Sequence, residues 1–244
     1  MQSNRLSFRQ LLPLSLITAL ILSACGGSSD FTPQPVPVQV NVDFGTEPAG
    51  WVSGTSDFTT DTKPTDIVTE YRTLPAPLSG KGLYTYGTNR SDDLFIYIKK
   101  KYLGFAPNTQ YALSFQATIV SNVATGCFGV GGSPGESVWF FGGASPTEPL
   151  TVQQGDQYTM NIDRGGQAGS GKYAQVLGTI GNTSNDCGKA PYMEKKLSNQ
   201  TPLNVTTGAD GSLWLLFGID SGFESTSHIY YKNITLNAVP ILNK

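Results

Sequence analysis

The chain has 244 residues, with 16 lysines and arginines against 18 aspartates and glutamates, a formal charge of −2. That balance excludes a protein built to neutralise the phosphates of nucleic acid. Charged residues make up only 14% of the chain, where an average soluble domain has about 25%. Serine, threonine, asparagine, glycine and tyrosine carry the polarity instead, a composition common in extracytoplasmic β-proteins.

Arg5 and Arg9 precede an apolar run from Leu11 to Leu22. The run is too short for a stable membrane span, which takes about 20 residues, and has the basic start of a secretory signal. Leu22-Ser23-Ala24-Cys25 resembles the lipobox of bacterial lipoproteins. The resemblance implies that residues 1–24 are a signal peptide, that Cys25 is acylated, and that the membrane is a partner through this lipid. Gly26 in place of an aspartate after the cysteine implies the outer membrane of a Gram-negative bacterium, with the leaflet open. Loss of Arg5 and Arg9 would lower the basic count from 16 to 14 against 18 acids. Residues 25–37 read as a linker rich in serine and proline, with Pro33, Pro35 and Pro37 on alternate positions. Such a segment favours extended polyproline conformation, and Gly26 to Gln39 would reach about 40 Å.

Residues 38–244 read as a single β-domain. Val38, Val40, Val42 and Phe44 alternate with Gln39, Asn41 and Asp43; Tyr111, Leu113, Phe115, Ala117 and Ile119 alternate with Ala112, Ser114, Gln116 and Thr118. A period of two with one polar face predicts half-buried strands. Leu94 to Ile98, Ser137 to Phe141, Tyr158 to Ile162, Leu213 to Ile219 and Ile229 to Val239 read as further strands, and Tyr192 to Leu197 as one helical turn. About ten strands separated by Gly, Pro and Asn clusters predict one antiparallel β-sandwich or jelly roll. Gly126 to Gly143 and Gly165 to Gly181 are glycine-dense and are expected to form long loops, which is where a β-sandwich usually carries function.

Asn41-Val42-Asp43-Phe44 with Gly50-Trp51, Ala106 to Phe115, and Tyr231-Lys232-Asn233-Ile234-Thr235-Leu236 resemble the first, central and closing strands of carbohydrate-binding modules with the galactose-binding-like jelly-roll fold. The resemblance implies that fold and a glycan ligand. Ser91 to Phe95, Gly131 to Val138 and Asp220 to Glu224 resemble a family of bacterial secreted proteins, which adds no mechanism.

Cys127 and Cys187, the only thiols besides Cys25, are expected to form a disulfide between two loops in an oxidising compartment. Gly131-Gly132-Ser133-Pro134-Gly135 matches a nucleophile elbow in letters, but a strand follows it where a helix is required. His228 is the only histidine. Asp92, Asp93, Asp220 and Glu224 gather at predicted strand ends. Such acids suit an oxygen-ligand calcium site, or else cap turns of their own backbone; calcium is the one cofactor they suggest. Glu136 with Glu224 or Asp220 is the conceivable glycosidase pair, which needs a separation of about 5–9.5 Å. Among the rings that offer faces to sugars (Trp51, Trp139, Trp214, Tyr84, Tyr86, Tyr97 and Tyr173), Trp51 and Trp214 are expected in the core. Trp139 and Tyr173, beside the glycine-rich loops, are the preferred ligand candidates together with Glu136. The composite expectation is a lipid-anchored, non-catalytic β-sandwich that binds carbohydrate or a surface partner. The alternatives are a glycan-active enzyme using paired carboxylates and a structural or adhesive surface protein.

Overall fold

Fifteen residues, Thr226–Pro240, form the central strand of the larger sheet in the computed structural model, which describes residues 34–242. The lipobox, Cys25 and most of the proline linker lie outside the described residues. The long strand hydrogen-bonds antiparallel to Gln110–Ser121, Lys81–Thr88 and Val38–Asp43. Met193–Ser198 and Leu203–Thr206 pair with the far edge of Gln110–Ser121, and Thr65–Thr73 closes the other edge beyond Lys81–Thr88. The seven strands face a five-stranded sheet in the order Ala174–Thr179, Val138–Ser145, Leu213–Ser221, Leu94–Tyr102, Val52–Ser56. Together they make an antiparallel β-sandwich of jelly-roll type, as the alternation predicts. Among the described residues the only helical piece is a 3-10 turn at Phe44–Thr46, and no helix is long and apolar enough to cross a membrane.

Alternation places the core. Phe115, Ile119, Ile229, Tyr231, Ile234 and Leu236 point inward from the larger sheet and meet Phe140, Leu215, Phe217, Ile219, Ile96 and Ile98 from the smaller one. Phe217 lies edge-on to Phe115, and Trp51 packs on Phe44 at 5.4 Å between ring centres. Burial of such rings, each about 150–250 Å², supplies most of the apolar contact that ties the sheets together.

The smaller sheet is buried on both faces. The segment between its Val138–Ser145 and Ala174–Thr179 strands carries a hairpin, Thr151–Gln154 with Gln157–Met160, and folds over the outer face. Phe95, Tyr97, Phe141 and Leu216 look outward from the sheet and pack there with Ile162 and Ala174. Double-sided burial is why Leu94 to Ile98 and Val138 to Phe141 read as nearly unbroken apolar runs. Gly218 belongs to this layer: a Cβ on it would stand 2.6 Å from the Phe95 ring.

Two expectations are corrected. Tyr192 to Leu197 is no helical turn, since Met193–Ser198 is a strand paired with Gln110–Ser121; its exposed Glu194 and Lys196 belong to a sheet edge facing water. Trp214 is only half-buried, on the outer face beneath Lys99, whose ammonium lies 5.6 Å from the ring centre. The Gly165 to Gly181 stretch also contains the Ala174–Thr179 strand.

Candidate functional site

The predicted acids divide into three places. Asp93 and Asp220 come together under the folded-over segment, with Asp57 and Arg164. Asp220 is 0% exposed and Arg164 3%. The Arg164 guanidinium donates from Nη1 to Asp220 (2.7 Å) and from Nε and Nη2 to Asp57, and it lies 4.1 Å from the centre of the Phe95 ring. Gln167 donates its backbone N–H to Asp220 (2.6 Å) and its side-chain amide to the Asp92 carbonyl. One oxygen each of Asp93 and Asp220 is buried without another partner. A proton shared between the two carboxyls satisfies both, and burial, then the Asp220 charge, push Asp93 up to about 8. Asp92 and Glu224 are exposed, and Glu224 lies against Gly131. The four acids therefore do not form one ligand set, and among the described residues no group of three or more His, Cys, Asp or Glu side chains is placed to hold a metal. The guanidinium occupies the position of positive charge in this cluster.

The Asp93 proton has a measurable consequence. The native state keeps it up to about pH 8, whereas an unfolded aspartate loses it near about pH 4. The native state therefore binds more protons across that window, and its stability falls as the pH rises through it. Asp93→Asn, whose amide can donate to Asp220 at any pH, is expected to raise the melting temperature at pH 8.5 by about 2–4 °C in a domain of this size and to give no gain at pH 4. Parallel melting curves for both proteins across this range would refute the shared proton.

Glu136 serves the loop that carries it. The Ser133 hydroxyl donates to its carboxylate, and the Gly126 N–H donates to it at 2.6 Å. Burial pushes the carboxyl up, but these donors outweigh burial and hold it below its ordinary value. Ser133 Oγ also accepts from the N–H groups of Gly135 and Glu136, so the elbow-like motif is a capped turn. Cys127 and Cys187 are bonded, as expected, with their Cα atoms 5.6 Å apart. Trp139 and Tyr173 are half-buried and pack against the Phe95 and Phe141 layer, and the Lys172 ammonium stands 5.0 Å from the centre of the Tyr173 ring. Glu136, Trp139 and Tyr173 thus each have a partner within the protein.

The outer face of the larger sheet offers a different surface. A bulge between Tyr231 and Asn233 on Thr226–Pro240 lets Tyr231 and Ile234 point inward while His228, Tyr230, Asn233, Thr235 and Asn237 line the outside. Register sets His228 opposite Tyr86 and Tyr230 opposite Tyr84. The rings of Tyr84 and Tyr230 lie 4.7 Å apart, and those of Tyr86 and His228 6.0 Å apart. Tyr192, from the segment leading into Met193–Ser198, adds a fifth ring, 6.0 Å from Tyr230. Burial pushes Tyr84 up to about 12 and lowers His228. The imidazole Nε2–H donates to the Asn122 side-chain oxygen (2.9 Å). Tyr84 and Tyr230 are buried beneath Leu74 and Leu78, whereas Tyr86 and Tyr192 are half-exposed.

Beside the rings lies a depression of about 420 Å³ lined by Gln116, Thr118, Lys196, Ser198, Asn233 and Thr235. Thr235 donates to Asn41, Asn41 to Gln39, and Gln39 to Asn237. Among the described residues, the side chains of Gln116, Thr118, Ser198 and Asn233 spend no hydrogen bond within the protein. Of this surface the sequence offered Tyr84 and Tyr86. Tyr192, Tyr230 and His228 were missed because only strand register brings them together.

No protein-family model matches the sequence, and no curated protein matches it. Among solved structures the chain is similar to TmCBM27, a carbohydrate-binding module dissected for specific mannan recognition, at 11% identity and a TM-score of 0.38, covering 82% of this chain and 97% of that one. It is similar to the family 11 carbohydrate-binding module of the cellulase Lic26A-Cel5E of Clostridium thermocellum, at 10% identity and 0.37, over 85% and 97%. It is also similar to the enzymatically active domain of bacteriophage CBA120 tailspike protein 4, at 9% identity and 0.37, over 81% of this chain; it spans 20% of that chain.

Proposed function

We propose that this β-sandwich binds carbohydrate without cleaving it, on the outer face of its seven-stranded sheet. The observation that carries the reading is the half-exposed pair Tyr86 and Tyr192 on the same sheet face as a depression of uncommitted amide and hydroxyl groups. Sugar rings present C–H faces that stack on aromatic planes, and their hydroxyls need donors and acceptors not already used by the protein. Both lie on this one sheet face. Of the carboxylates considered for hydrolysis, Asp220 is wholly buried beneath Gln167, Glu136 is held by the Ser133 hydroxyl and the Gly126 N–H, and Glu224 stands exposed. The same proposal places the domain in the cell envelope, held to the outer membrane through an acylated Cys25, the reading supported by the lipobox.

Purified full-length protein applied to a broad panel of polysaccharides, with retention and released sugar scored separately, tests the binding reading. Retention without release is expected. Tyr86→Ala and Tyr192→Ala should each weaken it about tenfold, equivalent to about 1.4 kcal/mol, while Trp139→Ala and Tyr173→Ala should leave it unchanged in folded protein. Loss with the latter pair alone would move the site to the smaller sheet. Released sugar would place the protein among enzymes, and no retention on any polymer would end the carbohydrate reading.

A further inference from the structure

We infer that the glycan taken by this face is acidic, a polymer bearing carboxylate or sulfate groups; the inference rests on the binding reading above. The argument is a sorting of charge. The chain carries more acids than bases overall, yet no carboxylate lines the depression of Gln116, Thr118, Asn233 and Thr235, whose one charged side chain is Lys196. A second depression, of about 390 Å³, opens at the other end of the tyrosines between Asn122, Lys189, His228 and the Cys127–Cys187 bridge, and it too has a lysine and no acid.

The acids nearest this face are already engaged. Glu194 pairs with Lys232 and Glu70 with Arg72. Asp186 accepts from the N–H groups of Gly188 (3.0 Å) and Lys189 (3.1 Å), and Asp43 from that of Gly45 (2.9 Å). Lys196 makes no ion pair among the described residues. Along Gln110–Ser121 the outward positions run from Gln116 and Thr118 beside Lys196, through Val120 under Tyr230, to Asn122 just beyond the strand, beside His228. A chain lying on the tyrosines would therefore meet the Lys196 ammonium on one side, in a depression lined by no carboxylate, and on the other Lys189, whose backbone N–H is held by Asp186. Neutral sugars need the rings and amides alone; Lys196, unpaired among the described residues in a depression lined by no acid, singles out an anionic chain.

The test uses polygalacturonate, alginate and chondroitin sulfate, with carboxyl-reduced polygalacturonate as the neutral counterpart of the first. At least one acidic polymer should be retained at low salt and released as ionic strength rises, and the reduced polymer should be retained at least about tenfold less. Lys196→Gln should weaken binding of the acidic polymer about tenfold, with Lys196→Arg restoring it, while retention of any neutral polymer stays the same. Equal retention of the acidic and reduced polymers would overturn the inference and leave the carbohydrate reading standing. Retention of neutral polymers only would do the same. Failure of every acidic and neutral polymer would remove both.

Discussion

Arg164→Ala is expected to destabilise the fold by about 3–5 kcal/mol at pH 8, the range for removing one partner from a buried charge cluster. Among the described residues the guanidinium is the only cation contacting Asp57 and Asp220, both largely removed from water, and it also covers the Phe95 ring. Its loss leaves Asp57, Asp93 and Asp220 facing one another, with a cavity above an aromatic layer. The cost should be smaller at pH 5, because the abandoned acids can take up protons and give up their mutual repulsion. Arg164→Met, which refills part of the volume, should recover the packing share but retain the pH dependence. Arg164→Lys should not substitute, since a point charge cannot span two carboxylates as the planar fork does. Urea unfolding at both pH values is the measurement. A loss below about 1 kcal/mol at both would show that the cluster is held by its surroundings instead of holding them.

The second large effect belongs to the disulfide. Cys127 and Cys187 are 60 residues apart in sequence, and closing a loop of that length restricts the unfolded chain by about 4 kcal/mol in the chain-entropy model. The double variant Cys127→Ser, Cys187→Ser should lose stability of that order, and wild-type protein unfolded in strong reductant should match it. A difference under about 1 kcal/mol would mean that the hydrogen bonds around Glu136 and Asn182, which donates to the Ser121 and Pro191 carbonyls, order the two loops without the bond.

The strands legible in the sequence are those with one wet face or a long apolar run. Gln110–Ser121 and Thr226–Pro240 announce themselves by alternation, and Leu94–Tyr102 by its apolar start. Thr65–Thr73 escapes because it is an edge strand, mostly exposed, with no apolar period to detect. Lys81–Thr88 escapes for the opposite reason: Gly82 to Thr85 are buried on both sides, inward against the core and outward beneath Arg72 and Tyr230. The acids show how far local reading reaches. Asp93 and Asp220 were singled out together and do meet, but the residues that give their meeting its chemistry, Asp57 and Arg164, sit in irregular connections that carry no pattern. The ring surface has the same limit. Tyr84 and Tyr86 stand two apart on one strand, while Tyr192, Tyr230 and His228 reach them through pairing between distant segments.

The long central strand also gives the molecule a base and a crown. Val38 pairs with Ala238, which pairs with Leu113, so the described chain begins at the end of the larger sheet remote from Asn122, His228 and the disulfide. Nine residues of strand separate Leu113 from Asn122, about 30 Å at the rise of an extended chain. Val38 and the crown with its lysine, histidine and bridged loops therefore stand at opposite ends of the larger sheet.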